Sequence, residues 1–347
     1  MTLPSLTAAL AYRLDLLHPP GARDGSAHLY KEWHHFVLIS PDGDAMVLVN
    51  LALHGDVRTD AGRATVLVAG FAGASTFGHA RAYAASRAVF DPRSPDLALP
   101  NATLGVDADG VYRLRIDGGS GISLAARLRS DGTPFALWND TPLGPAGSLN
   151  WTIIPAYVEE GRLLHAEGAV TLEGWNAYHD HNWGRWRWGD DFSWCWAYLG
   201  ARLPDGRPLV LSLSRSADRS GRHPGNRLVA VWLGGRLARV FTDASVSIDM
   251  SERIDVSDAA CVPAVARPLI AARRPRIPRA VSIHASAGPD RLSAEIRSGR
   301  VMHIAIPRDG RQGFVVASEA AGTFAARGVL DSGRFDIEGV GCVEALA

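Results

Sequence analysis

The residues best suited to chemistry lie in one run, Tyr178-His179-Asp180-His181-Asn182-Trp183-Gly184. It gathers a phenol, two imidazoles, a carboxyl and an amide in consecutive positions. It also sits in a tract dense with indoles, since six of the ten tryptophans fall between Trp175 and Trp196. A carboxylic acid walled by aromatic rings suits proton donation, because an apolar environment disfavours the anion. Indole faces add a second capability, each stabilising an adjacent cation by about 0.5–2 kcal/mol. Several around one carbocation are worth a few powers of ten in rate. Donating a proton and stabilising the positive charge that develops is what such a pocket suits, and it requires no nucleotide, metal or covalent intermediate.

Alternation along a strand puts Tyr178, Asp180 and Asn182 on one face, with His179, His181 and Trp183 on the other. One face must then bury two imidazoles, or the other a carboxylate, and buried polar groups cost stability unless hydrogen-bonded. The run can satisfy itself as one network. Such a network serves either as an acid in an aromatic pocket or as a fastening between two halves of the chain. Zinc is the weaker reading, because adjacent residues point to opposite faces and no second ligand pair stands out at metal spacing. No metal and no other cofactor is expected. Ser75, between Gly70 and Gly78, lacks the spacing of a nucleophile elbow, and no phosphate-binding loop or dinucleotide fingerprint occurs. His54, His165, His223, His284 and His303 read as surface or satisfied core residues.

The elements that must position this run read as strands. Phe36 to Ile39, Met46 to Leu53, Ala64 to Phe71, Val111 to Ile116, Leu209 to Leu213 and Arg227 to Leu233 are short and rich in Val, Leu and Ile. Turn signals separate them at Pro41-Asp42-Gly43, Asp109-Gly110, Asp131-Gly132, Pro204-Asp205-Gly206 and Asp309-Gly310. Helical periodicity is scarce, and His79 to Val89 is the best candidate for a short helix. Phe71 to Pro100 and Ser251 to Arg279 do not fit the strand pattern and read as loops or lids. Ala272 to Arg279, with four arginines and two prolines, reads as a solvated connector.

The chain also repeats itself. Trp33, Pro41-Asp42-Gly43 and Val47-Leu48 match Trp196, Pro204-Asp205-Gly206 and Val210-Leu211 at a constant offset of 163 positions. Gly168 to Gly174 resembles Gly333 to Gly339 at an offset of 165. Two domains follow, 1–188 and 189–347, each built of antiparallel strands that close most readily into a barrel. A barrel of this size holds one small apolar ligand.

Composition bounds the function. With 47% hydrophobic and 21% charged residues the chain is globular, and its formal net charge of zero gives no field to draw in nucleic acid. The N-terminus lacks a signal-peptide pattern, no window approaches the roughly 20 apolar residues of a membrane span, and Cys195, Cys261 and Cys342 form no disulfide framework. A cytoplasmic protein with a small hydrophobic substrate is expected.

At Tyr178 to Gly184 the sequence resembles the hydroxyneurosporene synthase (carotenoid 1,2-hydratase) and AttH-like superfamily, and more distantly tocopherol cyclase and the fungal decalin-forming Diels–Alderases. Glu32-Trp33, Asp191 to Trp196, and the ending Ile337-Glu338-Gly339 with Gly341 and Glu344 support the likeness. Where the family usually carries an aromatic pair after the Glu, this chain has Trp33 followed by His34 and His35. The resemblance implies an all-β fold of two tandem lipocalin-like antiparallel β-barrels with a cavity for an isoprenoid or polyketide. It implies catalysis by Asp180 with His179 or His181. Tyr178 and Asn182 would orient the donor, Trp183, Trp194 and Trp196 would wall the cation, and Glu32 and Trp33 would contact substrate. A hydratase or cyclase is the reading that follows. A non-catalytic carrier of an apolar ligand, and a pericyclase without acid catalysis, are the alternatives.

Overall fold

Runs of Val, Leu and Ile broken by turn residues form strands throughout the chain, and the fold is the all-β, lipocalin-like class expected. The computed structural model describes residues 6–346, apart from 108, 120, 144–146, 221–222, 252 and 258. Two units are distinct: one takes the chain to Ser40 and from Asp44 to Arg187, the other takes Pro41–Gly43 and Trp188 onward.

The first unit begins with helix α1 (Leu6–Leu14). Its strands are β1 (Tyr30–Ile39), β2 (Ala45–His54), β3 (Arg63–Ala72), β4 (Ser75–Ala84), β5 (Val89–Phe90), β6 (Leu97–Leu99), β7 (Ala102–Val106), β8 (Val111–Gly119), β9 (Ile122–Ser130), β10 (Phe135–Leu143), β11 (Gly147–His165), β12 (Gly168–Thr171) and β13 (Asn176–Arg185). They form one sheet in the order β4-β3-β2-β1-β13-β11-β9-β8-β7-β6-β5, with β10 and β12 attached to β11. The sheet curls until β4 meets β8 and β9. Inside it Phe36, Leu38, Val49, Val66, Leu114 and Ile154 form a closed core, to which α1 adds Ala11 and the following segment adds Leu17.

The second unit holds β14 (Ser193–Arg202), β15 (Pro208–Ala217), β16 (Pro224–Leu233), β17 (Arg236–Thr242), β18 (Val246–Met250), β19 (Arg253–Asp255), β20 (Ala260–Val262), α2 (Arg267–Arg273), β21 (Arg276–Pro278), β22 (Ala280–Ala287), β23 (Asp290–Pro307), β24 (Phe314–Leu330) and β25 (Gly333–Leu346). Its main sheet runs β17-β16-β15-β14-β25-β24-β23-β22-β18 around a second apolar core. The internal repeat is structural: β1 and β14, like β2 and β15, begin and end 163 positions apart. Each first strand sits between its hairpin partner and a later strand, β13 for β1 and β25 for β14. Gly43 and Gly206 turn the two hairpins at φ 77° and 85°, which glycine adopts without a Cβ penalty.

Three expectations are corrected. His79 to Val89 is not a helix: its first part is β4, paired along its length with β3, and β5 follows after one 3-10 turn. Alanine and arginine favour a helix locally, but pairing with β3 overrides that weak preference. Phe71 to Pro100 is likewise mostly strand, and Ser251 to Arg279 contains β19, β20, α2 and β21 rather than loop alone. Helix α1 was not signalled; its Ala- and Leu-rich stretch stops shortly before Pro19-Pro20. No helix among the described residues is long and apolar enough to cross a membrane.

The strand carrying the singular motif is held at the centre of the first sheet. β13 pairs antiparallel with β1 on one side and β11 on the other, so both edges are satisfied. Gly184 lets β11 come close, because a Cβ there would lie 2.0 Å from the Ser148 carbonyl oxygen. Gly184→Ala is expected to destabilise the chain by about 1–3 kcal/mol, the usual cost of overpacking, as read by urea denaturation. A variant as stable as the parent would show that β11 yields freely there.

Candidate functional site

The pleat of β13 divides its motif between two faces, as the alternation predicts. In the register with β1, Ala177, His179, His181 and Trp183 stand opposite Leu38, Phe36, His34 and Glu32. Leu38, Phe36 and Ala177 belong to the core of the first unit, so this is the inner face. Tyr178, Asp180 and Asn182 occupy the second face, opposite Val37, His35 and Trp33. The motif therefore does not close on itself as one network. It feeds two.

On the second face Asp180 is the centre. Its Oδ2 accepts hydrogen bonds from Trp151 Nε1 at 3.0 Å and Tyr178 Oη at 2.7 Å, and its Oδ1 accepts one from Asn182 Nδ2 at 2.5 Å. Trp151 lies on β11 and meets Trp138 of β10 edge-to-face at 5.3 Å. His35 adds an imidazole beside Tyr178, and burial pushes its pKa down to about 3, so the ring is neutral. Asp180 is 4% exposed. Three donors on two oxygens fix the carboxyl group tightly among aromatic rings. Trp33, also on this face, packs edge-on against Trp186.

On the inner face each imidazole has its own acid. His181 Nδ1 faces the Leu14 carbonyl oxygen at 2.9 Å, which only accepts, so that nitrogen carries hydrogen. Its Nε2 lies 2.8 Å from Glu32 Oε1. Glu32 also accepts hydrogen bonds from Tyr30 Oη and from the His18 backbone N–H at 2.8 and 2.9 Å, and meets His18 Nδ1 at 3.2 Å. Burial alone would raise the Glu32 pKa, but the contacts from His18 and His181 outweigh it and hold the carboxyl below its ordinary value. Burial pulls His181 down, yet the bond to Glu32 and its charge prevail and raise it. Both directions favour the charged pair, an imidazolium against a carboxylate.

His179 repeats the pattern. Its Nδ1 donates to the His35 carbonyl oxygen at 3.1 Å, and its Nε2 lies 3.3 Å from both carboxyl oxygens of Asp15, which also accepts from Tyr112 Oη at 2.5 Å. Between the two pairs, His34 stacks on His181 at 4.3 Å and on His179 at 5.4 Å. Burial, with the neighbouring imidazoles, pushes its pKa well down. Trp183 stacks on His18 at 4.1 Å, and that half-exposed pair forms the rim of the cluster.

Trp194 and Trp196 belong to β14 of the second unit. Trp194 Nε1 donates to Glu344 Oε1 at 2.5 Å, and Glu344 faces Glu319 across β24 and β25. Burial raises the Glu344 pKa from 4.5 to about 7, against the hydrogen bonds from Trp194 and Glu319. The folded chain thus keeps this proton until about pH 7, whereas the unfolded chain releases it near 4.5. Stability is expected to fall as pH rises through that window, by at most about 3 kcal/mol, and to level off above it. Glu344→Gln should flatten the profile in urea titrations between pH 5 and 8; an unchanged slope would remove Glu344 as its source.

Asp15, His18, His34 and Trp151 are site residues that sequence reasoning missed. The alternation Tyr30, Glu32, His34, Phe36 is the signal that could have placed His34 on the inner face, but nothing in the sequence pairs it with Asp15. Two open hollows, of about 470 and 290 Å³, lie elsewhere on the first unit, the larger lined by Leu99, Ile116, Leu124 and Leu164. No residue of 174–196 lines either of them.

No protein-family model and no curated protein matches the chain. Solved structures do. An AttH-like protein from Nitrosomonas europaea superposes with a TM-score of 0.63 at 17% identity, over 95% of this chain and 99% of that one. Kievitone hydratase from Nectria haematococca gives 0.60 at 11% identity, over 100% and 95%. CghA gives 0.60 at 12% identity over 99% and 96%, and was also solved with Sch210972. In fold, then, this chain is similar to the AttH-like proteins and to a hydratase, as its Tyr178 to Gly184 motif implied.

Proposed function

We propose that the chain is an acid–base enzyme that hydrates or cyclises an apolar, unsaturated small molecule, with Asp180 as the proton-transferring group. The observation that carries this reading is the fixing of Asp180 by Trp151, Tyr178 and Asn182 within a wall of aromatic rings. The likeness to kievitone hydratase, and to CghA with its bound small molecule, supports the same class.

The chemistry balances with water as the one co-reactant of a hydration and with none in a cyclisation. The Asp180 carboxyl gives its proton to one alkene carbon, and positive charge develops on the other. An aromatic face turned toward that carbon stabilises the charge by about 0.5–2 kcal/mol, whereas Trp151 and Tyr178 meet the carboxyl itself through Nε1 and Oη. Water then adds and returns a proton to the carboxylate, giving an alcohol. In a cyclisation a second double bond attacks instead, and the carboxylate removes a proton from the resulting cation. Tyr178 and Asn182 hold the carboxyl in the orientation both steps need.

The test is a screen of isoprenoid and polyene substrates in H2-18O, read by mass spectrometry. A hydratase yields product heavier by one 18O, and a cyclase yields an unlabelled isomer. Recovery of every candidate unchanged, with tight quenching of tryptophan fluorescence, would instead make the protein a carrier.

A further inference from the structure

The inner face of the first unit holds more ligating groups than its hydrogen bonds account for. Asp15, His34 and His181 each offer one ligand atom, and these atoms lie within 4.8 Å of one another. All three side chains are fully enclosed. A second trio, His18, Glu32 and His181, meets the same criterion and shares His181. The decisive feature is His34. It is completely buried, yet neither of its ring nitrogens has a hydrogen-bond partner among the described residues. A buried imidazole with two unmet nitrogens is costly unless something else binds it.

We propose that this cluster is a binding site for one first-row divalent transition-metal ion, ligated by Asp15, His34 and His181. Two imidazole nitrogens and one carboxylate oxygen suit zinc, iron, cobalt or nickel, not the all-oxygen shells of calcium and magnesium. The outer partners are already in place. His181 Nδ1 lies 3.8 Å from Asp15 Oδ1, while its Nε2 is held by Glu32, the carboxylate–histidine arrangement that orients a metal ligand. Tyr112 holds the other Asp15 oxygen in the same way. A divalent charge also compensates the enclosed carboxylates Asp15 and Glu32.

Binding requires a small rearrangement. The His34 and His181 rings lie 11° from parallel, so one must turn for their lone pairs to converge. His181 must also release the Leu14 carbonyl oxygen and give up its Nδ1 proton to solvent, keeping the Nε2 hydrogen that faces Glu32. The rim at His18 and Trp183 gives the ion a route in, because His18 is 39% exposed. Asp15 follows α1, whereas His34 and His181 lie on β1 and β13, so the ion ties the N-terminal segment to the barrel. The role is structural, and the inference does not depend on Asp180 being catalytic.

The test uses the full, untagged chain, stripped with a chelator and titrated with Co2+. One equivalent is expected to bind, with a visible ligand-field band of nitrogen–oxygen coordination and an upward shift in melting temperature. His34→Phe and Asp15→Asn, each checked for folding by circular dichroism, should abolish the band, while Asp180→Asn should leave it unchanged. A parent chain that takes up no Co2+, Zn2+ or Ni2+ at micromolar concentration overturns the proposal. So does stoichiometric binding that persists in either folded variant.

Discussion

Asp180→Asn is expected to lower turnover by about 10²–10⁴-fold on any substrate found in the labelling screen, the range typical of a lost general acid or base. The amide is isosteric, so the volume at the site is kept. Trp151 and Tyr178 can still donate to its oxygen, which preserves the wall around it. The transferable proton is gone, and Asn182, which donates to the oxygen replaced by the new amide nitrogen, must turn its own amide over to keep a bond there. The measurement is kcat at saturating substrate, with circular dichroism and thermal melting to show an intact fold. A folded variant that keeps most of its rate would move the chemistry to a pericyclic reaction, which needs shape and polar contacts but no acid.

Glu32→Ala should carry the largest stability effect, about 3–5 kcal/mol in metal-free protein, because it leaves the enclosed His181 imidazolium without its counter-charge. Glu32 is 0% exposed. It also ends the segment 14–18 by accepting from the His18 backbone N–H, so α1 should lose its anchor in the same variant. Urea denaturation gives the number, and proteolysis at the N-terminus reports the loosened segment. A loss below about 1 kcal/mol would mean the pair is neutral in the folded protein and would withdraw the ionic assignment.

The two predictions test different faces of one strand, and their separation is informative. Asp180 sits among indoles and phenols on the second face, where positioning and a dry surround matter. His179 and His181 sit on the inner face, each against a carboxyl group from elsewhere in the chain. Asp180 and the two histidines that the resemblance grouped with it stand on opposite faces of β13, because neighbouring residues on a pleated strand diverge.

The strand character of Phe36 to Ile39 or Leu209 to Leu213, the internal repeat, and the division of Tyr178 to Trp183 between two faces were all legible in the sequence. Each follows from local rules, since β-branched and apolar runs pleat and a pleat alternates its side chains. Which acid meets which imidazole was not legible. Asp15 lies 164 positions from His179, and Glu32 lies 149 from His181. Those meetings depend on the register of β13 against β1 and on where α1 delivers the chain. His34 is the sharpest case: as a letter it was a departure from a motif, and only the His34–His181 register made it the centre of a cluster. Local geometry is written residue by residue, but side chains far apart in sequence meet only when the whole sheet closes.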